Sequence, residues 1–186
     1  MKELSLNILD ISENSTKAGA TLVEISVTEK DNVLTLVIKD NGCGMDEETV
    51  RSVTNPFYTT RTTRKVGMGI PLLILAAEQT GGSVTIQSVP KEKGENHGTV
   101  VTAVFMIDHI DFTPIGDIVS TVTTLIQGHP TTDFVFTHTS DAFSVQLDTR
   151  QLREVLGDVP LDSYEVIKWT KEYLREQYSP SDNNNY

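Results

Sequence analysis

The chain has 186 residues, 38% of them hydrophobic and 22% charged, which is typical of one globular domain, or of one domain with a small appendage. The formal net charge of -11 argues against a surface built for nucleic acid or anionic lipid, so neither is expected as a partner. The single cysteine, Cys43, excludes an internal disulfide framework. With no long apolar run and no signal peptide in the sequence, a cytoplasmic protein without a membrane span is expected.

Hydrophobic periodicity and turn residues predict an alternation of helices and strands along the whole chain. In chain order, the predicted elements are a helix over residues 4–18, strands over 21–28 and 33–38, helices over 47–53 and 71–80, strands over 83–89 and 98–106, a helix over 115–127, strands over 134–137 and 143–147, and helices over 149–156 and 163–177. Asp148 and Asp162 are the predicted N-caps of the last two helices.

The first predicted helix carries three polar residues that share one face. Asp10, Asn14 and Lys17 recur at spacings of four and three, which places them on the same side of the helix. An acid, an amide and an amine on one face could serve a hydroxyl or water, a Mg²⁺ ion and a phosphate. A solvated helix face with an incidental ion pair is the alternative, since such faces are common on surface helices.

A second candidate site follows the strand predicted over residues 33–38. Asp40 lies where this strand ends, and a carboxylate there can accept a hydrogen bond from an amine such as the exocyclic amine of adenine. Gly42 and Gly44 would let the backbone take positive φ and approach a planar ligand, and Met45 would supply an apolar wall. The competing interpretation is a plain Asn-Gly turn.

A polar, basic loop over residues 55–66 has no hydrophobic period, and its length favours a lid or a binding segment. It ends in two glycines, at 67 and 69, that open a buried helix. Free backbone amides at such a helix start favour a phosphate. Arg61, Arg64 and Lys65 would add positive charge. A tight turn into a core helix is the alternative.

Taken in order, these motifs resemble the ATP-binding domain shared by histidine kinases, gyrase-type topoisomerases, heat-shock chaperones and mismatch-repair ATPases, the GHKL superfamily with its Bergerat fold. The matching motifs are the N box over residues 12–21, the first glycine box over 40–45, the F box over 56–61, the second glycine box over 67–70, and the closing strands at Gly81-Gly82 and Gly98-Thr99. Together they cover about residues 3–107.

The resemblance implies binding of ATP with Mg²⁺. Asp40 would bind the adenine amine, Asn14 would hold Mg²⁺, and Lys17 would reach a phosphate. Residues 59–66 would form a mobile lid above the phosphates. The implied nucleotide-binding residues are Asn14, Lys17, Asp40, Gly42, Gly44, Met45, Thr59, Thr60, Lys65, Gly67, Met68, Gly69, Ile70 and Thr99.

The sequence departs from the family at two points. The ATPase branch usually has a glutamate four residues before the Mg²⁺-binding asparagine, where this chain has Asp10. Aspartate is one methylene shorter than glutamate, so Asp10 is a candidate general base if the backbone or a water makes up the missing distance to the nucleophile. Lys17 is the second candidate catalytic residue. The kinases also carry a phosphoacceptor histidine on a helical domain. No such helix is found here, and the four histidines are expected to be ordinary surface or loop residues, namely His97, His109, His129 and His138.

The expected fold is therefore an α/β two-layer sandwich of the Bergerat type over residues 1–107, followed by an α+β extension over 108–178 and a flexible tail over 179–186. The extension would pack on the ATP-binding domain or dock a partner. The expected function is a stand-alone kinase-like ATPase acting on a partner protein by phosphotransfer or hydrolysis. The alternative is a nucleotide-controlled binding switch of the anti-sigma type, and a homodimer remains open.

Overall fold

The computed structural model describes residues 3–54 and 69–179, which contain one six-stranded sheet and six α-helices. The helices are α1 (Leu4–Lys17), α2 (Glu47–Thr54), α3 (Gly69–Gln79), α4 (Ile118–Gly128), α5 (Thr149–Leu156) and α6 (Tyr164–Tyr178). The strands are β1 (Leu22–Lys30), β2 (Val33–Asp40), β3 (Ser83–Val89), β4 (Gly98–Met106), β5 (Asp133–Thr139) and β6 (Ser144–Asp148). None of the described helices is long and apolar enough to cross a bilayer.

The sheet has the strand order β3-β4-β2-β1-β5-β6. Neighbouring strands are antiparallel except for β1 and β5, which run parallel. A parallel pair needs a crossover connection, and α4 lies in the chain between these two strands. The strands that follow residue 107 therefore extend the same sheet.

One face of the sheet carries the hydrophobic core. Side chains alternate between buried and half-exposed along β1, β2, β4 and β5, as expected for strands covered on one side. Ile25, Ile38, Ala103 and Phe136 are all buried. Helices α1, α3 and α4 contact these strands, so the predicted two-layer α/β sandwich is confirmed.

Side-chain caps decide where two of the C-terminal helices begin. Helix α4 begins at Ile118, later than predicted, because Asp117 caps it by accepting a hydrogen bond from the Ser120 N–H at 2.9 Å. The predicted cap of α5 is confirmed, since Asp148 accepts from the Arg150 N–H at 3.0 Å. Each carboxylate satisfies a backbone donor that has no partner within its helix.

Two local predictions are wrong. Asp162 does not cap α6, because Ser163 occupies the N-cap position and makes no side-chain cap hydrogen bond. His138 is not a surface or loop residue, since it lies in β5 and is only 2% exposed. Strand β5 is longer than predicted, so the two-residue alternation carries His138 to the same buried face as Phe134 and Phe136.

Candidate functional site

The carboxylate of Asp40 is held from three directions at the end of the sheet. Its Oδ2 accepts a hydrogen bond from the Ser15 hydroxyl on α1 at 2.6 Å. Its Oδ1 accepts from the backbone N–H groups of Gly42 at 2.9 Å and Thr99 at 3.3 Å. A carboxylate offers about four acceptor positions, so these three bonds fix its orientation and leave capacity for an external donor. Asp40 is half-buried, which keeps that capacity accessible.

The glycines of the first box are required by close packing of the chain. At Gly44, whose φ is 66°, a Cβ would lie 1.9 Å from the carbonyl oxygen of Val89. The prediction that Gly42 also takes positive φ is wrong. A Cβ there would lie 3.0 Å from both the Ala18 Cβ and the Asp40 Oδ1. The backbone at both glycines therefore lies too close to its neighbours to leave normal room for a side chain, independently of any ligand.

Two residues that the sequence did not single out hold this loop in place. His97 donates through Nδ1 to the carbonyl of Gly42, because a carbonyl can only accept. The Asn41 Oδ1 accepts hydrogen bonds from the N–H groups of Thr21 at 2.9 Å and of Leu22, the first residue of β1, at 3.0 Å. At Gly98, a Cβ would lie 2.0 Å from the carbonyl oxygen of Asp40. The only sequence signal for these contacts is their position beside the glycine motifs.

A hydrogen-bonded cluster joins β3 and β4 to the loop after β2. Ser88 accepts from the Met45 N–H at 2.8 Å and donates to the carbonyl of Gly98 at 3.1 Å. Its hydroxyl lies 2.8 Å from that of Thr99. Because the Thr99 backbone also binds Asp40, the cluster brings together three of the predicted nucleotide-binding residues: Asp40, Met45 and Thr99.

Asp10 lies against the start of α3. A Cβ built on Gly69 would lie 3.0 Å from the Asp10 Cβ and 3.6 Å from its Oδ2, so the carboxylate borders the first residue of that helix. Asp10 is exposed, whereas Gly69 and Ile70 are buried. The helix start that was predicted to seat phosphates therefore adjoins the candidate base.

Asn14 and Lys17 are exposed on the turn of α1 that also carries Ser15. The hydrogen bond from Ser15 to Asp40 fixes this turn relative to the sheet. Lys17 has 71% of its side chain exposed and its Nζ lies 3.9 Å from Glu13 Oε2. A pair this long and exposed contributes little stability, so the amine is free to move towards another anion.

Several predicted site residues lie outside the described residues. They are Thr59, Thr60, Lys65, Gly67 and Met68, together with Arg61, Arg64 and the rest of the predicted lid. Their predicted roles stay predictions.

The donor chemistry beside α3 fits Mg²⁺. Within residues 3–54 and 69–179, no group of three or more histidine, cysteine or acidic side chains is placed to hold a metal ion. Mg²⁺ commonly binds one or two protein oxygens together with substrate phosphates. The exposed amide oxygen of Asn14 on α1 is a donor of this kind. It suits an ion that arrives with a nucleotide.

Comparison with known proteins identifies a family for more than half of the chain. The family model described as histidine kinase-, DNA gyrase B- and HSP90-like ATPase matches residues 1–109. The tetrathionate sensor histidine kinase TtrS of Salmonella typhimurium is 35% identical over 101 residues, covering 53% of this chain and 16% of that protein. Sporulation kinase E of Bacillus subtilis is 33% identical over 101 residues, covering 54% of this chain and 13% of that protein. The chain thus spans less than a fifth of either kinase.

Similar folds occur among solved structures. The MutL ATPase domain of Aquifex aeolicus, solved in complex with ADP, superposes with a TM-score of 0.54 at 14% identity, covering 95% of this chain and 70% of that one. The N-terminal domain of a DNA repair protein gives a TM-score of 0.56 at 15% identity, covering 80% of this chain and 52% of that one. At such identities, the likeness concerns the fold.

Proposed function

Because the chain belongs to the histidine kinase-, DNA gyrase B- and HSP90-like ATPase family, we propose that it binds ATP with Mg²⁺ and uses the nucleotide to act on a partner protein. Its ATP-binding domain is of the histidine-kinase type, which supports the nucleotide. The action on a partner, by phosphotransfer or by hydrolysis, is the finer part of the proposal.

The orientation of the Asp40 carboxylate carries this proposal. Three hydrogen bonds from Ser15, Gly42 and Thr99 hold it at the end of the sheet while acceptor capacity remains. The exocyclic amine of adenine is a donor that could take that capacity. Met45 packs partly against the core on the same side and offers an apolar contact to the base. The arrangement suits a purine with an amino group.

The phosphate side would lie between α1 and the start of α3. Gly69 borders Asp10 there, and helix N-termini favour anions. Asn14 would hold Mg²⁺, which would neutralise phosphate charge. Lys17 can leave its weak contact with Glu13 to reach a phosphate oxygen. Asp10, which borders the start of α3, would accept a proton from a nucleophile bound next to the phosphates.

Isothermal titration calorimetry of the full chain with ATP, with and without Mg²⁺, tests the proposal. ATP should bind more tightly with Mg²⁺, and Asn14→Ala should remove most of that difference because it removes a metal ligand. Gln87→Ala, which changes an exposed amide on β3, is the matched control and should keep it. No binding of ATP at millimolar concentration by the unaltered chain would refute the proposal.

A second candidate function is a nucleotide-controlled switch, favoured by a contact between the ATP-site helix and the C-terminal region. His129, at the end of α4, donates through Nε2 to the Glu13 carboxylate at 2.8 Å. Glu13 directly precedes Asn14 on α1. Through this contact, a conformational change at the nucleotide site can reach the elements that follow residue 107, provided that the chain has two stable conformations.

Two assays separate the candidates. Labelled ATP incubated with the protein and cell extract should yield a labelled protein or labelled phosphate if the chain is an enzyme. A pull-down compared with ATP, with ADP and without nucleotide should give nucleotide-dependent partners if it is a switch. Identical partners in all three conditions would exclude the switch, and neither labelled protein nor labelled phosphate would exclude the enzyme.

A further inference from the structure

A groove away from the nucleotide site lies where α5, α6 and the edge strand β6 meet. It contains a cavity of about 310 Å³. Leu152 and Val155 from α5 line it, and so do Trp169 and Tyr173 from α6. We refer to this surface, defined by these four side chains, as the α5–α6 groove.

Two of the four side chains of the α5–α6 groove are unusually exposed for their size. Val155 is 85% exposed and Trp169 is 48% exposed. The Trp169 ring stacks on Tyr173, with ring centroids 4.9 Å apart and an angle of 11° between the planes. Exposed apolar side chains beside a cavity mark interaction sites, and tryptophan and tyrosine often supply much of the binding energy there.

Carboxylates border the aromatic pair on α6. Glu165 precedes Trp169 by four residues, Glu172 follows it by three, and Glu176 follows Tyr173 by three, so all three acids lie beside the rings on the helix surface. They are exposed. None forms an ion pair with another residue in the described part of the chain. We call them the acidic rim.

One nearby cation, Lys168, lies three residues after Glu165 and four before Glu172 on α6 and offsets part of the charge of this rim, while the other nearby cations interact with other acids. On α5, Arg150 is paired with Asp148 at 2.7 Å and Arg153 with Asp133 at 2.8 Å. On α6, the cations Lys171 and Arg175 lie near enough to Asp117, the N-cap of α4, to interact with its charge. There, hydrogen bonds with Ser120 are the main cause of the lowered pKa of Asp117, and these two cations contribute to it. The groove is therefore bordered by three exposed carboxylates that form no ion pair in the described part of the chain and whose charge Lys168 offsets only in part.

The edge of β6 favours a helical occupant over an added strand. The side-chain amide of Gln177 accepts from the Gln146 N–H at 2.9 Å and donates to the Gln146 carbonyl at 3.1 Å. These bonds take the place of a neighbouring strand at the middle of β6. An extended peptide would have to displace them, whereas a helix can lie in the groove beside them.

We propose that the α5–α6 groove docks an amphipathic helix of a partner protein. The apolar face of that helix would fill the cavity, and its lysines or arginines would meet the acidic rim. A second copy of this chain is a poor occupant, because a two-fold contact would bring one acidic rim against the other. The inference goes beyond the proposed function and does not depend on ATP binding.

The test uses Trp169 as a built-in probe, since it is the single tryptophan of the chain. Its fluorescence is measured while the full chain is titrated with a synthetic amphipathic helix of leucines and lysines. A second peptide keeps the leucines and replaces every lysine by glutamate. The lysine peptide should shift the emission with saturation, at an affinity at least about tenfold above that of the glutamate peptide. No shift, or equal affinities, would overturn the proposal.

Val155→Asp separates groove binding from general attraction to an acidic protein. This substitution makes the chain more negative, so general attraction predicts equal or tighter binding of the lysine peptide, whereas docking in the groove predicts binding at least about tenfold weaker. Ile110→Asp adds the same charge at a residue that is 94% exposed and outside the groove, and it should bind like the unaltered chain. Equal or tighter binding by Val155→Asp would contradict the proposal.

Two further measurements complete the test. The double variant Glu165→Gln, Glu172→Gln should bind the lysine peptide more weakly and with a smaller salt dependence. An unchanged salt dependence would contradict the role of the acidic rim.

Sedimentation measures whether two copies of the chain associate through the groove. The chain alone should not do so. Self-association that is abolished by Val155→Asp would assign the groove to a second copy and overturn the proposal. ATP binding is measured in parallel, so a failure of the nucleotide proposal stays distinguishable from a failure of this one.

Discussion

Asp40 combines a structural and a proposed binding role, because its carboxylate accepts from Ser15, Gly42 and Thr99. We expect Asp40→Asn to weaken ATP binding about tenfold to a hundredfold, since a hydrogen bond to a charged group contributes about 1.5–3 kcal/mol. The amide also turns an acceptor into a donor, so a modest loss of thermal stability should accompany the change. Calorimetry with ATP and a thermal melt measure the two effects.

A Ser15→Ala variant is the control for Asp40. It removes the 2.6 Å hydrogen bond to Oδ2 but leaves the charge, so it should weaken ATP binding less than Asp40→Asn does. If Asp40→Asn bound ATP as tightly as the unaltered chain, Asp40 would not be the adenine anchor, and the assignment of the first glycine box would fail.

Asp10 decides whether the site performs chemistry. If it is the general base, Asp10→Asn should keep ATP affinity almost unchanged and lower turnover by about 100-fold or more, the usual contribution of a positioned base. Phosphate release and ATP affinity are measured on the same preparation. Equal turnover in the two forms, with or without partner extract, would exclude the base role and leave the nucleotide switch as the working proposal.

At the scale of elements, a buried histidine joins three of them. His138 on β5 is 2% exposed. Its Nε2 lies 2.9 Å from the Glu29 carboxylate on β1, and its Nδ1 lies 2.8 Å from the Tyr178 hydroxyl at the end of α6. A carboxylate can only accept, so Nε2 carries the proton of the neutral ring and the Tyr178 hydroxyl donates to Nδ1. The ring of Phe143 packs edge-on against His138.

This arrangement predicts a pH dependence of stability. Burial lowers the pKa of His138 below its ordinary value of 6.5, although the hydrogen bond and charge of Glu29 act in the opposite direction. The folded protein therefore binds fewer protons than the unfolded chain just below pH 6.5. The stabilisation is complete above that pH and is lost as the pH falls through the lowered pKa. The melting temperature, measured from pH 8 to pH 5, should fall in the acidic half of this range.

His138→Gln isolates the contribution of this one group, because glutamine does not titrate. Its melting temperature should be lower at pH 8 and should depend less on pH than that of the unaltered chain. His109→Gln changes a histidine whose side chain is 41% exposed and should reproduce the unaltered profile. Parallel profiles for His138→Gln and the unaltered chain would contradict the prediction.

At the scale of the whole molecule, the C-terminal elements complete the sheet and its core. β5 pairs with β1 over the seven positions from Leu22–Asp133 to Thr28–Thr139. Leu125, Ile126, Phe134 and Phe136 are all buried at 1% exposure or less. Truncation after residue 107 removes these contacts and leaves β1 as an open edge. We expect that fragment to aggregate or to unfold without a cooperative transition.

Circular dichroism melts and gel filtration of the 1–107 fragment measure this outcome. The predicted division of the chain at residue 107 gives the opposite expectation, a fragment that folds and binds ATP by itself. A soluble fragment with a cooperative melt would therefore show that the extension is an independent unit, and this experiment decides between the two.

The family and the fold class could be predicted because the motifs that indicate them are local. The spacing of Asp10, Asn14 and Lys17 places them on one helix face whatever surrounds it, and β-branched residues before Asp40 set the end of a strand. The order of the glycine boxes then identified the ATP-binding domain, which the family comparison confirmed. The roles of the individual site residues stay predictions.

Only the tertiary structure decided what these elements contact. Two hydrogen bonds of the site join residues that are 25 or more positions apart, namely the Ser15 bond to Asp40 and the His97 bond to Gly42. The burial of His138 beside Glu29 depends on strand register. The parallel pairing of β1 with β5 is of the same kind. Periodicity along the chain determines which face of an element is apolar. The partner of that face depends on long-range packing, because the same local pattern is compatible with many different partners and strand registers.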